Sequence, residues 1–147
     1  LLRDIYRLSE AEYRCTLKEL TDALDLAPLL ATPVRQLSLG QRMRCELAAS
    51  LLHEPELLFL DEPTIGLDAV SKLALRAFLK AENQRNGVTM LLTTHDMQDI
   101  EALAGRILLI GHGRLLLDGA PGEIRSMAGE NLSTEESVAD LYRRFGI

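Results

Sequence analysis

A short apolar run that ends in two carboxylates constrains the fold of this chain more than any other feature of its sequence. Residues 57–60 read Leu-Leu-Phe-Leu, and Asp61, Glu62 and Pro63 follow them directly. An all-apolar run of this length, bounded by prolines, predicts a central parallel strand that is covered on both faces. Because α/β proteins bind ligands at the carboxyl ends of such strands, we expect a ligand site at Asp61 and Glu62.

The segment after this strand alternates between helix and strand, which indicates an α/β fold with a parallel sheet. Asp68 is placed to cap a helix that Asn86-Gly87 would end. Residues 88–94 predict a second buried strand, and Asp96 is placed to cap a short helix that stops at Gly105. The apolar face of the first of these helices is predicted to consist of Val70, Leu73, Ala74, Ala77 and Phe78.

Helices are predicted on either side of this region. Ser9 and Glu12 form a capping-box pattern, and Ser38 is placed to cap a helix that runs through Leu52. After a hairpin predicted over residues 106–118, Ala120-Pro121 opens a short helix that Gly129 would end. A last capping box, Ser133 with Glu136, precedes a predicted apolar face of Val138, Leu141, Tyr142 and Phe145.

Charge and composition exclude several classes of protein. The formal net charge of the 147-residue chain is −6, so a non-specific grip on a nucleic-acid backbone is not expected. The longest apolar runs have about four members, against the ~20 needed to span a bilayer. Cys15 and Cys45 match no metal or redox spacing, which suits a reducing, cytosolic compartment. The first residue is Leu, without a signal-peptide pattern, so we expect the chain to begin inside a longer protein.

Three groups of residues have side chains suited to phosphate chemistry, and each also has a plain structural interpretation. Asp61 can hold Mg²⁺ and Glu62 can take a proton from water, but both also suit a turn. Ser38 begins a helix whose amides favour an anion, although serine caps are common. His95 follows two threonines and can contact a phosphate or orient a water, although a single histidine is more often structural.

The order of these motifs resembles the ATP-binding cassette (ABC) ATPases. Leu-Ser-x-Gly-Gln at residues 37–41, the strand ending in Asp-Glu-Pro, Ile-Gly-Leu-Asp at 65–68 and Thr-Thr-His at 93–95 occur in the family's order. The resemblance covers roughly residues 30 to 120. With the Gly-Arg-Leu-Leu-Leu-Asp-Gly stretch at 113–119, it is closest to ATPases that serve ABC-2-type exporters.

The resemblance implies a role for each motif residue. Asp61 would be the Walker B carboxylate that binds Mg²⁺ through water, and Glu62 would be the general base. Ser38, Gly40 and Gln41 would be the signature that meets the nucleotide of a partner subunit. Gly66 to Asp68 would be the D-loop at the interface of the dimer, and His95 would be the switch histidine.

The sequence departs from the family pattern in two respects. Leu39 stands where the family has glycine, which puts the backbone path there in doubt because Leu resists a positive φ. No glycine is followed by lysine, so the phosphate-binding loop Gly-x-x-x-x-Gly-Lys-Ser/Thr is absent from the sequence. The glutamine loop and the adenine-stacking aromatic are missing as well. We therefore expect negligible ATP binding and turnover by this chain alone, and exposed apolar sheet edges.

The sequence thus predicts a partial P-loop NTPase core of the ABC type. Residues 1–53 would be part of the α-helical subdomain with the signature helix, and residues 54–147 the C-terminal half of the α/β core. The resemblance implies ATP and Mg²⁺ as cofactors, and a second nucleotide-binding subunit in a head-to-tail dimer. It also implies a membrane permease as partner and a cytoplasmic location at the membrane. Two alternatives stay open: a non-transport ABC ATPase of DNA repair or ribosomes, and a non-enzymatic cassette remnant.

Overall fold

A computed structural model of the chain describes residues 1–128 together with 136–137, 139–140 and 143. Its elements are α1 (Leu2–Ile5), α2 (Glu10–Ala23), a 3-10 turn (Val34–Gln36), α3 (Leu39–Leu51), β1 (Leu57–Asp61), α4 (Ala69–Asn86), β2 (Thr89–Thr93), α5 (Met97–Leu103), β3 (Ile107–Gly111), β4 (Arg114–Gly119) and α6 (Pro121–Ala128). The residues group into two compact units, Leu1–Thr93 and Thr94–Ile147. Within the described ranges, every helix is too short or too polar to cross a bilayer.

The two longer helices that precede the first strand, α2 and α3, begin where their caps predict. In α2 the Ser9 hydroxyl accepts from the Glu12 amide, and the Glu12 carboxylate accepts from the Ser9 amide. In α3 Ser38 and Gln41 make the same reciprocal pair. Both capping boxes therefore satisfy amides that the helix itself cannot bond. The apolar residues of these helices and of the loop between them form much of the core of the first unit: Leu20, Leu24, Leu26, Leu29, Leu47, Ala48, Leu51 and Leu52 are buried.

The strands β1 and β2 pair in parallel, as predicted, and Asp61 lies opposite Thr93 in the register. The prediction that this strand is covered on both faces is wrong for the chain as it stands. Leu58 is buried, whereas Phe59 is 68% exposed and its neighbour Leu91 is 49% exposed. Side chains alternate between the two faces of a sheet. One face of the sheet formed by β1 and β2 therefore packs against the rest of the first unit, and the other face is open. Asp61 is on the open face with Phe59, two residues along the same strand.

Helix α4 starts and stops where the sequence predicts, but it buries a different face. Asp68 caps its start and Gly87, with a φ of 65°, ends it in the left-handed conformation. Of the predicted face only Phe78 is buried: Val70 is 76% exposed, Leu73 is 64% exposed, and Ala74 and Ala77 are exposed as well. The buried stripe consists of Leu75, Arg76, Phe78, Leu79 and Glu82. Long polar side chains such as those of Arg76 and Glu82 can bury their apolar stems. A prediction that counts only apolar residues does not include them.

The second unit contains α5, the hairpin of β3 and β4, and α6. Asp96 caps α5 by accepting from the Gln98 amide, as predicted, although the C-cap is Ala104 rather than Gly105. The hairpin turns at His112 and Gly113, whose positive φ angles of 49° and 72° are those of a type I′ turn. Ile124 of α6 packs with Leu109 and Leu117 of the hairpin. The predicted stop at Gly129 and the predicted face of Val138, Leu141, Tyr142 and Phe145, with its cap at Ser133, lie outside the described residues.

Candidate functional site

The carboxyl ends of β1 and β2 are joined by one threonine side chain. The Thr93 hydroxyl donates to Asp61 Oδ1 at 2.5 Å. The parallel register places the two residues side by side on the open face of the sheet, and both are exposed. The hydrogen bond occupies one oxygen of the Asp61 carboxylate and orients the other. An exposed carboxylate held in this way fits the donor set of Mg²⁺, which takes one or two protein carboxylates and otherwise waters and phosphate oxygens.

Glu62 leaves the strand through a strained backbone. Its φ is 47°, in the left-handed region that costs a residue with a side chain on the order of 1–2 kcal/mol. The Glu62 amide donates to the Thr93 carbonyl at 3.0 Å and lies 3.3 Å from the Thr93 hydroxyl oxygen. Strained backbone conformations cluster at functional sites, where the surrounding structure holds them. Here the sheet holds Glu62 beside Asp61, and Pro63 and Thr64, which follow it, are buried.

The N-terminus of α3 presents the predicted signature residues. The Ser38 hydroxyl accepts from the Gln41 amide at 3.3 Å, so the plain capping role that the sequence left open is real. The first-turn amides at Leu39 and Gly40 have no acceptor within the helix, because no preceding turn supplies one. Leu39 is the first helical residue and has no positive φ, so the backbone difficulty expected there does not arise.

The loop between β1 and α4 contacts this helix start. A Cβ placed on Gly66, whose φ is 70°, would overlap the Leu39 side chain. A Cβ placed on Gly40 would come within 3.1 Å of Leu67 Cδ2. Two of the motifs that the sequence separates by about 25 residues thus pack against each other. The tertiary structure therefore brings Gly40 and the Gly66 loop to one surface of the first unit.

Asp68 ends that loop and serves as the cap of α4. Its Oδ1 accepts from the Ser71 amide at 2.9 Å, and its Oδ2 accepts from the Ser71 hydroxyl at 2.7 Å. These hydrogen bonds, that of the backbone amide first, hold the pKa of the Asp68 carboxyl below its usual value. The side chain is therefore ionised at neutral pH and committed to the cap.

His95 is exposed and belongs to the second unit, where it directly precedes the cap of α5. Thr94 beside it is engaged locally: its hydroxyl donates to Asp99 Oδ2 at 3.1 Å and accepts from the Asp96 amide at 3.0 Å. The hydroxyls of both threonines that precede His95 thus donate to carboxylates of the chain itself, Thr93 to Asp61 and Thr94 to Asp99. A role of His95 toward Glu62 stays a prediction.

Two arginines of the signature helix form ion pairs within the first unit. Arg42 Nε lies 2.7 Å from Glu46 one turn along α3. Arg44 Nη1 donates to the Leu24 carbonyl at 2.9 Å and lies 3.8 Å from Asp25 Oδ2, beyond the end of α2. Within the described part of the chain, no three His, Cys, Asp or Glu side chains are grouped as metal ligands.

Thr93 is the site residue whose role sequence reasoning did not identify. The predicted strand ran through residue 94, so the sequence showed Thr93 only as one of two adjacent threonines near its end. The signal that could have identified Thr93 is the register of the two strands. Two parallel strands of equal length that end together place their last residues, Asp61 and Thr93, opposite each other. That register depends on pairing across about 30 residues of intervening chain.

Comparison with known proteins gives consistent matches. A sequence model of the ABC transporter family matches residues 2–65. The daunorubicin resistance ATP-binding protein DrrA3 of Streptomyces coeruleorubidus is 38% identical over 125 residues, which are 85% of this chain and 39% of that protein. Other curated relatives are named as ATP-binding proteins for the import of glucose, of aliphatic sulfonates and of cobalt. The chain spans 27% to 42% of the length of the curated relatives compared with it.

Solved structures agree with the sequence matches and confirm the α/β fold class. An ATP-binding subunit of an ABC transporter superposes with a TM-score of 0.81 at 29% identity, covering 95% of this chain and 58% of that one. The dimeric ATP-binding cassette MJ0796, in a post-hydrolysis state bound to ADP and Pi, gives a TM-score of 0.68 at 26% identity. That match covers 77% of this chain and 49% of the cassette.

Proposed function

The chain belongs to the ATP-binding family of ABC transporters, and on that premise we propose that it forms part of a site at which Mg-ATP is hydrolysed to power transport. The observation that carries the proposal is the arrangement of Asp61, Glu62 and Thr93. One threonine orients a carboxylate suited to a metal and bonds the amide of a second carboxylate residue, at the edge where α/β proteins bind ligands.

Each carboxylate then has a distinct task. Glu62 accepts a proton from a water as that water's oxygen attacks the γ-phosphorus of ATP. The bond from the γ-phosphorus to its bridging oxygen breaks, so the products are ADP and inorganic phosphate. Asp61 would hold Mg²⁺ through water, and the ion, when bound, would supply positive charge to the phosphate oxygens. Thr93 keeps the Asp61 carboxylate turned toward that position.

The surface formed by α3 and the following loop has a different task in the proposal. Ser38, Gly40 and Gln41 face the nucleotide held by a second ATP-binding subunit, where the amides and the dipole of the 13-residue helix α3 favour an anion. Asp68 keeps the D-loop in place at the seam of this head-to-tail dimer, and His95 orients the attacking water. The dimeric cassette bound to ADP and Pi supports this pairing.

In the complete protein, residues 1–53 serve as part of the helical subdomain and residues 54–147 as half of the nucleotide-binding core. We place that protein at the cytoplasmic face of a membrane, bound to a permease whose movement is driven by hydrolysis. A resistance protein and a glucose import protein are each 38% identical to this chain. The resemblance to exporter ATPases therefore stays a prediction.

The first test is nucleotide titration of this chain by itself. Its only lysines are Lys18, Lys72 and Lys80, and no glycine precedes any of them, so the sequence contains no phosphate-binding loop. We expect no saturable heat of Mg-ATP binding in calorimetry up to about millimolar nucleotide, which corresponds to less than ~4 kcal/mol of binding free energy. Micromolar affinity for Mg-ATP would contradict the proposal that this chain forms only part of the nucleotide site.

The second test uses the complete ATPase subunit, meaning a polypeptide that carries both this chain and a phosphate-binding loop. Glu62→Gln keeps the size of the side chain and removes its basicity, so we expect ATP binding to persist while turnover falls by about 10²-fold or more. Glu56→Gln is the matched control, because Glu56 precedes the opposite end of β1 and is exposed. Equal turnover in the two variants would remove Glu62 from the role of base.

A further inference from the structure

Two leucines and two glycines interlock between the start of α3 and the loop after β1; we refer to Leu39, Gly40, Gly66 and Leu67 as the clasp. The Leu39 side chain lies over Gly66, in space that any Cβ at that residue would need. Leu67 lies close to Gly40, with 3.1 Å between Leu67 Cδ2 and the position of a Cβ, a tight contact rather than an overlap. Each segment therefore contributes a side chain that lies against a glycine of the other.

Leu39 stands where the family has glycine, and its side chain makes the contact with Gly66 that a glycine could not make. It is 53% exposed, so burial in the core does not explain it, and its contact with Gly66 is the structural use that the fold makes of it. Gly66 adopts a φ of 70°, which alone favours glycine. The contact with Leu39 is a second, separate reason for a glycine at this position.

The loop on the other side of the clasp is held at both ends. At its start the Glu62 amide is bonded to Thr93 in the sheet, and at its end Asp68 caps α4. Between them the Ile65 amide donates to the Glu62 carbonyl at 3.1 Å, and the Leu67 amide donates to the Thr64 carbonyl at 3.2 Å. The loop is thus a chain of short turns that is anchored to Glu62, and the clasp connects it to the first turn of α3.

We propose that Leu39 and Gly66 are positioning residues that fix the anion-binding end of α3 relative to the loop that carries Glu62. The part of this inference that concerns catalysis rests on the proposed function. In that function the amides of α3 and the base Glu62 face different nucleotides of a dimer. The clasp then keeps the start of α3 and Glu62 in a fixed relative position, so that a shift of either one displaces the other.

The test compares two glycines that have similar positive φ angles, 70° and 65°, and different surroundings. Gly66→Ala introduces a strained left-handed alanine and a collision with Leu39, whereas Gly87→Ala, at a φ of 65°, introduces the strain with nothing within 4 Å. Leu39→Ala removes the obstacle, and the double variant Leu39→Ala with Gly66→Ala restores room. Amide hydrogen exchange of Gln41 and Arg42, in the first turn of α3, reports whether the helix start has moved.

We expect Gly66→Ala to speed exchange at these amides by about threefold or more relative to wild type, because the Leu39 side chain must move and Leu39 is the first residue of α3. Gly87→Ala should leave them within about twofold, and the double variant should return to within about twofold of Leu39→Ala alone. Equal exchange in the two glycine variants, or no recovery in the double variant, overturns the clasp. If Gly66→Ala fails to fold, Gly40→Ala with its partner Leu67→Ala repeats the cycle without a left-handed residue.

Turnover by the complete ATPase subunit separates the clasp from the proposed function. The clasp predicts that Gly66→Ala lowers kcat and that adding Leu39→Ala recovers it, a pattern that general loss of structure does not produce. If the exchange rates of the variants follow the expected pattern but the wild-type subunit shows no ATP turnover, the clasp is supported as a structural contact and the proposed function is rejected. Turnover in the wild type with an unaffected Gly66→Ala variant would reject the positioning role alone.

Discussion

Replacing Thr93 by valine is the most direct test of the site, because it changes one atom group and keeps the shape of the side chain. Valine retains the β-branched form that suits a strand, and the Thr93 carbonyl still accepts from the Glu62 amide. What is lost is the hydroxyl that donates to Asp61 Oδ1 at 2.5 Å and lies 3.3 Å from the Glu62 amide nitrogen. The substitution therefore releases the Asp61 carboxylate without breaking the sheet.

The size of the effect follows from where the bond lies. Hydrogen bonds to charged groups contribute about 1.5–3 kcal/mol when sheltered. Asp61 is exposed, so water competes for its carboxylate and we discount the contribution to about 1 kcal/mol. If that orientation is used in the transition state, 1 kcal/mol lowers kcat of the complete subunit about fivefold. The same loss should appear in urea unfolding of this chain as about 1 kcal/mol of stability.

Two further variants make the result decisive. Thr93→Ser keeps the hydroxyl and should remain within about twofold of wild-type turnover. Thr89→Val makes the same chemical change at the other end of β2, where the residue is exposed and lies opposite Leu57, so it controls for strand propensity. If Thr93→Val matches both variants in stability and turnover, the hydroxyl does not position Asp61 and the reasoning fails.

Two other predictions concern the stability of this chain. Asp68→Ala should lower the urea midpoint at pH 7 because it removes the cap of α4, while Asp68→Asn, also a good cap, should stay close to wild type. Since the folded pKa of Asp68 is lowered by Ser71, its contribution is complete above the unfolded value of ~3.9 and is lost as the pH falls through the folded value. A midpoint for Asp68→Ala that matches wild type at both pH 7 and pH 3 would contradict this. Phe59→Thr, on the open sheet face, should cost less than about 1 kcal/mol, whereas Leu58→Ala, on the buried face, should cost ~2–5 kcal/mol. Similar losses for the two, measured by urea unfolding, would show that the exposed face is covered in solution.

The helix boundaries were predictable because the signals that set them are local. Ser9, Ser38 and Asp68 each bond an amide three residues ahead, and Gly87 adopts a conformation that other residues resist. Such contacts lie within one turn of chain, so residue type and spacing are sufficient to identify them. The pairing of β1 with β2 was also predictable, since two apolar runs joined by a helix indicate parallel strands.

Which face each element buries could not be read from the same signals. The apolar count favoured Val70 and Leu73 in α4, yet the helix buries Arg76 and Glu82 instead. The apolar run at β1 indicated burial on two sides, yet Phe59 is open in this chain. Burial depends on which neighbours are present to cover a side chain, and an apolar pattern records only that a side chain suits an interior.

The candidate site divides in the same way. Asp61, Glu62 and Ser38 are recognisable from residue type and from their places at the ends of a strand and a helix, and these are properties of short segments. The hydroxyl of Thr93 on Asp61 and the packing of Leu39 on Gly66 join residues that are far apart along the chain. Such contacts arise only when strands take a register and loops close against a helix, because their geometry is set by the packing of whole elements rather than by any one of them.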